Sequence, residues 1–167
     1  MSVNHFLLPI SDTERAALRT DPESCPDFVD SRASEVETLH TAGNAITSLI
    51  AESADDELAF IQEGAPDEYS EWIGEYTNSV CQVDMGYGPA WCCDSEYVAR
   101  IAAKIKDFTE TDFAKIYDPE WLEENRIYPS GWCDEDRAEF MIEQFKALRN
   151  CVMTAAEKED HLLIWCA

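Results

Sequence analysis

The stretch from Asp84 to Lys106, D-M-G-Y-G-P-A-W-C-C-D-S-E-Y-V-A-R-I-A-A-K-I-K, limits the possible architectures more than any other in the chain. Gly86-Tyr87-Gly88-Pro89 offers two positions where positive φ costs nothing. The proline after them fixes φ and cannot donate to a ladder. A run of strand length, Ala90 to Cys93, follows the turn. Asp94 is a good N-cap with Glu96 in the first turn behind it, and Val98, Ile101, Ala102, Ile105 and Phe108 recur at helical spacing. The stretch therefore reads as a structural joint that turns one strand into the next and launches a core helix. The turn is not a phosphate loop: no lysine follows it, and Pro89 removes an amide that would cradle an anion.

The flanking sequence alternates in the same way. Val3 to Leu8 reads as a strand ending at Pro9. Ser11-Asp-Thr-Glu14 is a capping box that opens a helix to about Arg19. Asp21-Pro22 and Cys25-Pro26 mark a loop. From about Ser34 to Glu52 the stripe Val36, Leu39, Gly43, Ile46 and Ile50 predicts one amphipathic helix, widened by Ala42 and Leu49. Asp55 to Gln62 and Asp67 to about Tyr76 read as two further helices, separated by Gly64-Ala-Pro66. Val80 to Val83 is expected as a short strand before the Gly-Pro turn.

Downstream, Thr111 caps a short helix to Tyr117. Asp118-Pro119-Glu120 opens another, to about Asn125, by placing proline at the first helical position. Arg126 to Trp132 reads as an extended segment and turn. The longest helix is expected from about Glu135 to Lys158. His161 to Cys166 is an apolar run suited to the middle of a sheet. His161 starts that run, so it is expected near solvent and without a partner. His5 and His40 fall in other elements.

The 167 residues suffice for one domain with a proper core, and 46% apolar residues argue against disorder. No run approaches the roughly 18 apolar residues needed to span a bilayer, and the N-terminus has no signal-peptide pattern, so a cytoplasmic protein is the expectation. Seven cysteines, an odd and scattered number without any C-x-x-C, read as free thiols and not as a disulfide framework or a zinc site. No cofactor or metal is expected.

Charge is the sharpest compositional fact. Thirty-five acids face twelve Lys and Arg, a net of −23. Ala33 to Ala99 holds fourteen of those acids and no Lys or Arg. Such a field repels nucleic acid and anionic membranes and suits a basic protein partner. The alternative is that the acidity only keeps the protein soluble or reflects salt adaptation, with which the scarcity of lysine, five residues, agrees; self-repulsion favours a monomer in isolation.

The runs G-Y-G-P-A-W-C-C-D-S-E-Y-V-A-R-I-A and Y-D-P-E-W-L-E-E-N-R-I-Y-P-S-G-W, with the long helix and closing strand, resemble the YfbM-like proteins, bacterial domains of unknown function. The resemblance covers nearly the whole chain. It implies a single-domain α+β fold with several helices packed on a small mixed sheet. Where the family often carries a Trp-His pair in its first long helix, this chain has Gly43 and Asn44. No activity comes with the resemblance.

The residues contain no recognisable nucleophile motif. The expectation is therefore a non-enzymatic acidic binding or inhibitor protein, concretely an immunity protein that neutralises a cationic toxin. Its docking carboxylates would be Glu52, Asp55, Asp56, Glu57, Glu63, Asp67, Glu68, Glu71 and Glu75. The alternative is a small-molecule-binding protein or enzyme that uses an aromatic cleft near the Gly-Tyr-Gly-Pro turn, formed by Tyr87, Trp91, Tyr128 and Trp132.

Overall fold

The computed structural model of the chain describes residues 3–53, 70–74, 76–77, 80–81 and 83–167. Its strands are β1 (His5–Ile10), β2 (Glu37–Thr38), β3 (Ser70–Ile73), β4 (Tyr76–Thr77), β5 (Val80–Cys81), β6 (Ala90–Cys93) and β7 (His161–Cys166). Its helices are α1 (Asp12–Thr20), α2 (Cys25–Ser31), α3 (Gly43–Ser53), α4 (Ser95–Ile105), α5 (Glu110–Ile116), α6 (Pro119–Glu124) and α7 (Arg137–Glu157). Five strands form one sheet in the order β2-β1-β7-β6-β3, and β4 pairs with β5 alone. All of these pairings are antiparallel, in place of the mixed sheet expected from the sequence. The helices between β6 and β7 return the chain so that β7 runs against both of its neighbours.

Strand alternation divides the interior into two cores. Leu7, Trp91, Cys93, Leu162 and Ile164 face a large core with α3 to α7, whose spine is Met141, Phe145, Leu148 and Val152 of α7. Phe113 stacks on Phe145 at 4.6 Å between ring centroids. Leu8, Ile10, Ala90, Cys92, Leu163 and Trp165 face a smaller core closed by Leu18 of α1 and by Cys25 and Val29 of α2. β7 is thus apolar along its length because both of its faces are covered.

Pro9 lies inside β1 instead of ending it. Asn4 and Ala167 exchange both backbone hydrogen bonds, so residues 4, 6, 8 and 10 direct their amides toward β7, and residue 9 faces the other way. On that side β2 pairs with Phe6 and Leu7 alone, and the missing N–H of Pro9 leaves no ladder bond unmade.

Elsewhere local signals give way to pairing. The helix expected from Ser34 breaks into a 3-10 turn (Ala33–Glu35), β2, a second 3-10 turn (His40–Ala42) and α3. Leu39 N–H donates to the carbonyl of His5, and His40 takes φ 45°. The sheet edge therefore claims residues whose spacing was helical. Residues 70–73, expected as helix, pair with β6, with Trp72 opposite Trp91. The loop expected around Cys25-Pro26 is the first turn of α2, where proline is tolerated. The cap of α5 is Thr109, not Thr111, in a capping box with Asp112. β5 pairs with β4 and not with β6. The helix expected over Asp55 to Gln62 lies outside the described residues. By contrast Asp94 caps α4 as expected, by accepting from Tyr97 N–H.

Among the described residues, no helix is long and apolar enough to cross a membrane. Cys25, Cys92, Cys93, Cys133, Cys151 and Cys166 are free thiols.

α3 starts at Gly43 because β1 comes so close. A Cβ there would lie 2.6 Å from Nδ1 and 3.0 Å from Cβ of His5. In an open helix Gly→Ala stabilises by about 1 kcal/mol. Here the overpacking outweighs that gain, and Gly43→Ala is expected to destabilise by about 1–2 kcal/mol in urea unfolding.

Candidate binding surface

A cleft of about 530 Å³ opens where α3, α5 and α6 meet. Leu49 and Glu52 come from the last turns of α3. Lys115, Ile116 and Tyr117 come from the end of α5, and Asp118, Pro119, Glu120 and Trp121 from the start of α6. The sequence builds it locally. Tyr117 and Asp118 are both extended, as proline requires of the residue before it, so α5 stops and α6 starts with two residues between them. The Asp118 side chain accepts from Trp121 N–H at 2.9 Å and caps α6. The Tyr117 hydroxyl donates to the carbonyl of Trp132 at 2.9 Å, which pins the connection to the large core.

Carboxylates outnumber bases in the lining of the cleft. α3 and α5 bring their C-terminal, partially negative ends to it, and α6 brings its N-terminal, partially positive end, which the Asp118 cap offsets. Glu52, Asp118 and Glu120 add carboxylates. The cation in its lining, Lys115, is bonded to Asp112 at 2.8 Å. That bond and those from Thr109 hold the Asp112 carboxyl well below its ordinary range. Half-buried Trp121 supplies an aromatic wall of the type on which a guanidinium or ammonium group rests. Desolvation, and then the nearby carboxylates of Glu123, Glu120, Asp134 and Asp118, raise the pKa of the exposed Cys133 thiol.

Of the nine docking carboxylates expected from the sequence, Glu52 is exposed and lines this cleft. Glu71 lies on β3, where it is bonded to Arg15 at 2.9 Å and Arg19 at 3.3 Å. Its charge is therefore turned inward, against α1. Asp55, Asp56, Glu57, Glu63, Asp67, Glu68 and Glu75 lie outside the described residues.

The four aromatic residues do not line one cleft. Trp91 and Trp132 are buried in the large core. The Trp132 indole donates to the carbonyl of Ile127 at 2.8 Å, and its backbone N–H donates to Glu123 at 2.7 Å. Tyr87 is exposed on the turn, its N–H bonded to the carbonyl of Cys166. Tyr128 is exposed on a separate cleft of about 340 Å³ with Glu123, Arg126, Ile127, Pro129 and Ser130.

Sequence reasoning missed Lys115, Tyr117, Asp118 and Trp121 as a group, although the Asp-Pro start signal places them at a helix junction. It also misplaced His161, which is buried and bonded to Asp12 at 2.7 Å and to Ser95 N–H at 2.9 Å. Among the described residues, no group of three or more His, Cys, Asp or Glu is arranged to hold a metal ion.

Three comparisons bear on this geometry. The family model described as a domain of unknown function, DUF1877, matches residues 1–165. The crystal structure of YfbM from Escherichia coli, a protein of unknown function, is similar at a TM-score of 0.62 and 13% identity, over 99% of each chain. That likeness shows the fold. No curated protein matches the chain.

Two measurements check the electrostatics. Asp112 has a folded pKa below its unfolded one, so its stabilisation is full above about pH 4 and is lost as pH falls through the folded value. Asp112→Asn is expected to flatten the acid limb of the stability profile, an effect that salt weakens. Cys133 is expected to react with iodoacetamide ahead of the buried Cys25, Cys92, Cys93 and Cys151 yet more slowly than a free thiol, because the thiolate is the nucleophile. Added salt speeds that reaction if the carboxylates are its cause.

Proposed function

This chain belongs to the DUF1877 family, whose domain has no assigned function, and from its own surface we propose that it is a non-enzymatic acidic binding protein that masks a basic protein partner. In its most concrete form it is an immunity protein that neutralises a cationic toxin. The observation that carries the reading is the cleft between α3, α5 and α6, where two helix C-termini, Glu52, Asp118 and Glu120 surround a half-buried tryptophan. An arginine or lysine side chain of the partner enters there, with its cation against Trp121 and within reach of the carboxylates.

The rest of the surface supports the approach to that contact. A net charge of −23 produces a one-signed field that steers a basic protein inward and speeds encounter. Rim charges act chiefly on the association rate, and the anchoring side chain in the cleft acts on dissociation. Nucleic acid and anionic membranes are repelled by the same field.

The test is capture on the immobilised protein from an extract of its host at ~10 mM salt, where the screening length is about 30 Å. The captured protein is then identified and its Kd measured as salt is raised. The expected partner is basic, binds several orders of magnitude more weakly near 0.5 M salt, and loses about tenfold in affinity with Glu52→Lys or Glu120→Lys. Trp121→Ala is expected to raise the dissociation rate. Capture of no basic protein at low salt, or an affinity indifferent to both charge reversals, would sink the reading.

A further inference from the structure

On the other side of the sheet, one imidazole joins four elements. His161 opens β7 opposite Ile10 and is 2% exposed. Its Nδ1 lies 2.9 Å from the backbone nitrogen of Ser95, the first residue of α4. Its Nε2 lies 2.7 Å from Oδ1 of Asp12 in the first turn of α1. Nη1 of Arg15, one turn further along α1, is 3.4 Å from the same Nδ1. The Arg15 Nε in turn donates to Glu71 of β3 at 2.9 Å.

These contacts fix the chemistry of the ring. A backbone N–H can only donate, so Nδ1 presents its lone pair, and Nε2 carries the hydrogen that Asp12 accepts. The two nitrogens therefore respond to a proton in opposite ways. A proton added at Nδ1 turns the Nε2–H bond to Asp12 into a charge-assisted one, which is stronger. The same proton makes Nδ1 a donor, facing the Ser95 N–H, the Arg15 guanidinium and the positive end of the eleven-residue helix α4.

We propose that His161 is a proton-operated latch: neutral, it ties the N-terminus of α4 to β7 and α1, and on taking a proton it keeps Asp12 and lets go of Ser95.

The charged and titratable neighbours from each packed element fit this division. From α1, Asp12 favours the imidazolium and Arg15 opposes it. From β3, Glu71 holds Arg15 in place and draws off part of its charge. At the junction of β6 and α4, Asp94 is committed to Tyr97 N–H as the helix cap, and burial keeps the Cys92 thiol protonated. The Asp12 side chain is 90% exposed, so the bond that survives protonation lies at the solvent-facing end of a ring that is otherwise buried. Asp94 still caps α4 once Ser95 is released, so what opens is the attachment of the helix to β7. Tyr97 and Val98, which that attachment seats in the large core, follow directly after it.

The experiment uses the whole chain. NMR follows the ¹⁵N shifts of the His161 ring and the Ser95 amide from about pH 8 to about pH 5, the range in which histidines change charge. The expected result is an Nε2–H tautomer at the upper end, then a single step in which the ring gains a proton. In that same step the Ser95 amide shifts and its hydrogen-exchange protection drops at least about tenfold. Asp12→Asn removes the group that favours the imidazolium, so the step moves to lower pH. His161→Gln keeps an acceptor for Ser95 without a titrating site, so the Ser95 response becomes flat. The proposal is overturned if the wild-type ring titrates while Ser95 stays protected, if the ring remains neutral until the chain unfolds in acid, or if the Ser95 step survives in His161→Gln.

Discussion

β7 pairs on both sides, with β1 and β6, and is covered above and below. Leu162 and Ile164 enter the large core, and Leu163 and Trp165 enter the small one. A strand with no solvent face cannot stand in a single-sided sheet, because half of its apolar side chains would meet water. Helices are therefore required on both faces, and the chain supplies them unequally: α3 to α7 on one side, α1 and α2 on the other. With apolar residues committed to two cores, the outer helix faces and their junctions are left to polar residues, and in this chain acids outnumber bases 35 to 12 among the charged ones.

The position of the cleft has the same origin. α7 is the element on which α5 rests, through Phe113 against Phe145. α6 is set by a proline start immediately after α5, and Glu123 binds the following loop through the amides of Gly131 and Trp132 at 2.6 and 2.7 Å. The helix ends that carry the carboxylates are thus fixed by buried contacts, while the charges themselves remain in water. In the proposed binding mode the backbone of the cleft is therefore set before a partner arrives, and its ordering adds little to the cost of association.

The sequence was readable where a signal was local. Asp94, Ser11 and Asp118 each cap the helix expected of them, and the period of α7 and the apolar run of β7 gave their positions within a few residues. It was unreadable where a distant partner overrides a local pattern. Glu37 and Thr38 sit in a helical stripe, yet β1 offers them a ladder, and Trp72 has a helix-like neighbourhood but pairs with Trp91. The candidate site divides along the same line. Asp118-Pro119 announces a helix junction, but nothing local says that Glu52 and Leu49 arrive beside it, or that Glu71 meets Arg15. His161 looked solvent-near because it begins a strand. Asp12, whose bond to it decides the matter, stands at the other end of the chain.

The pairing of β1 with β7 also governs how the molecule is assembled in time. Residues about 150 positions apart must meet before the centre of the sheet exists, and closing so long a loop costs entropy before any contact compensates it. The helices from Ser95 onward need no such closure, since α4, α5 and α7 find one another at short range. A helical subdomain around Phe145 is the natural first structure, on which α3 can dock. β1 can meet β2 early, but its other edge must wait until β7 has been made. A net charge of −23 opposes the pairing of such an open edge with the strand of another copy.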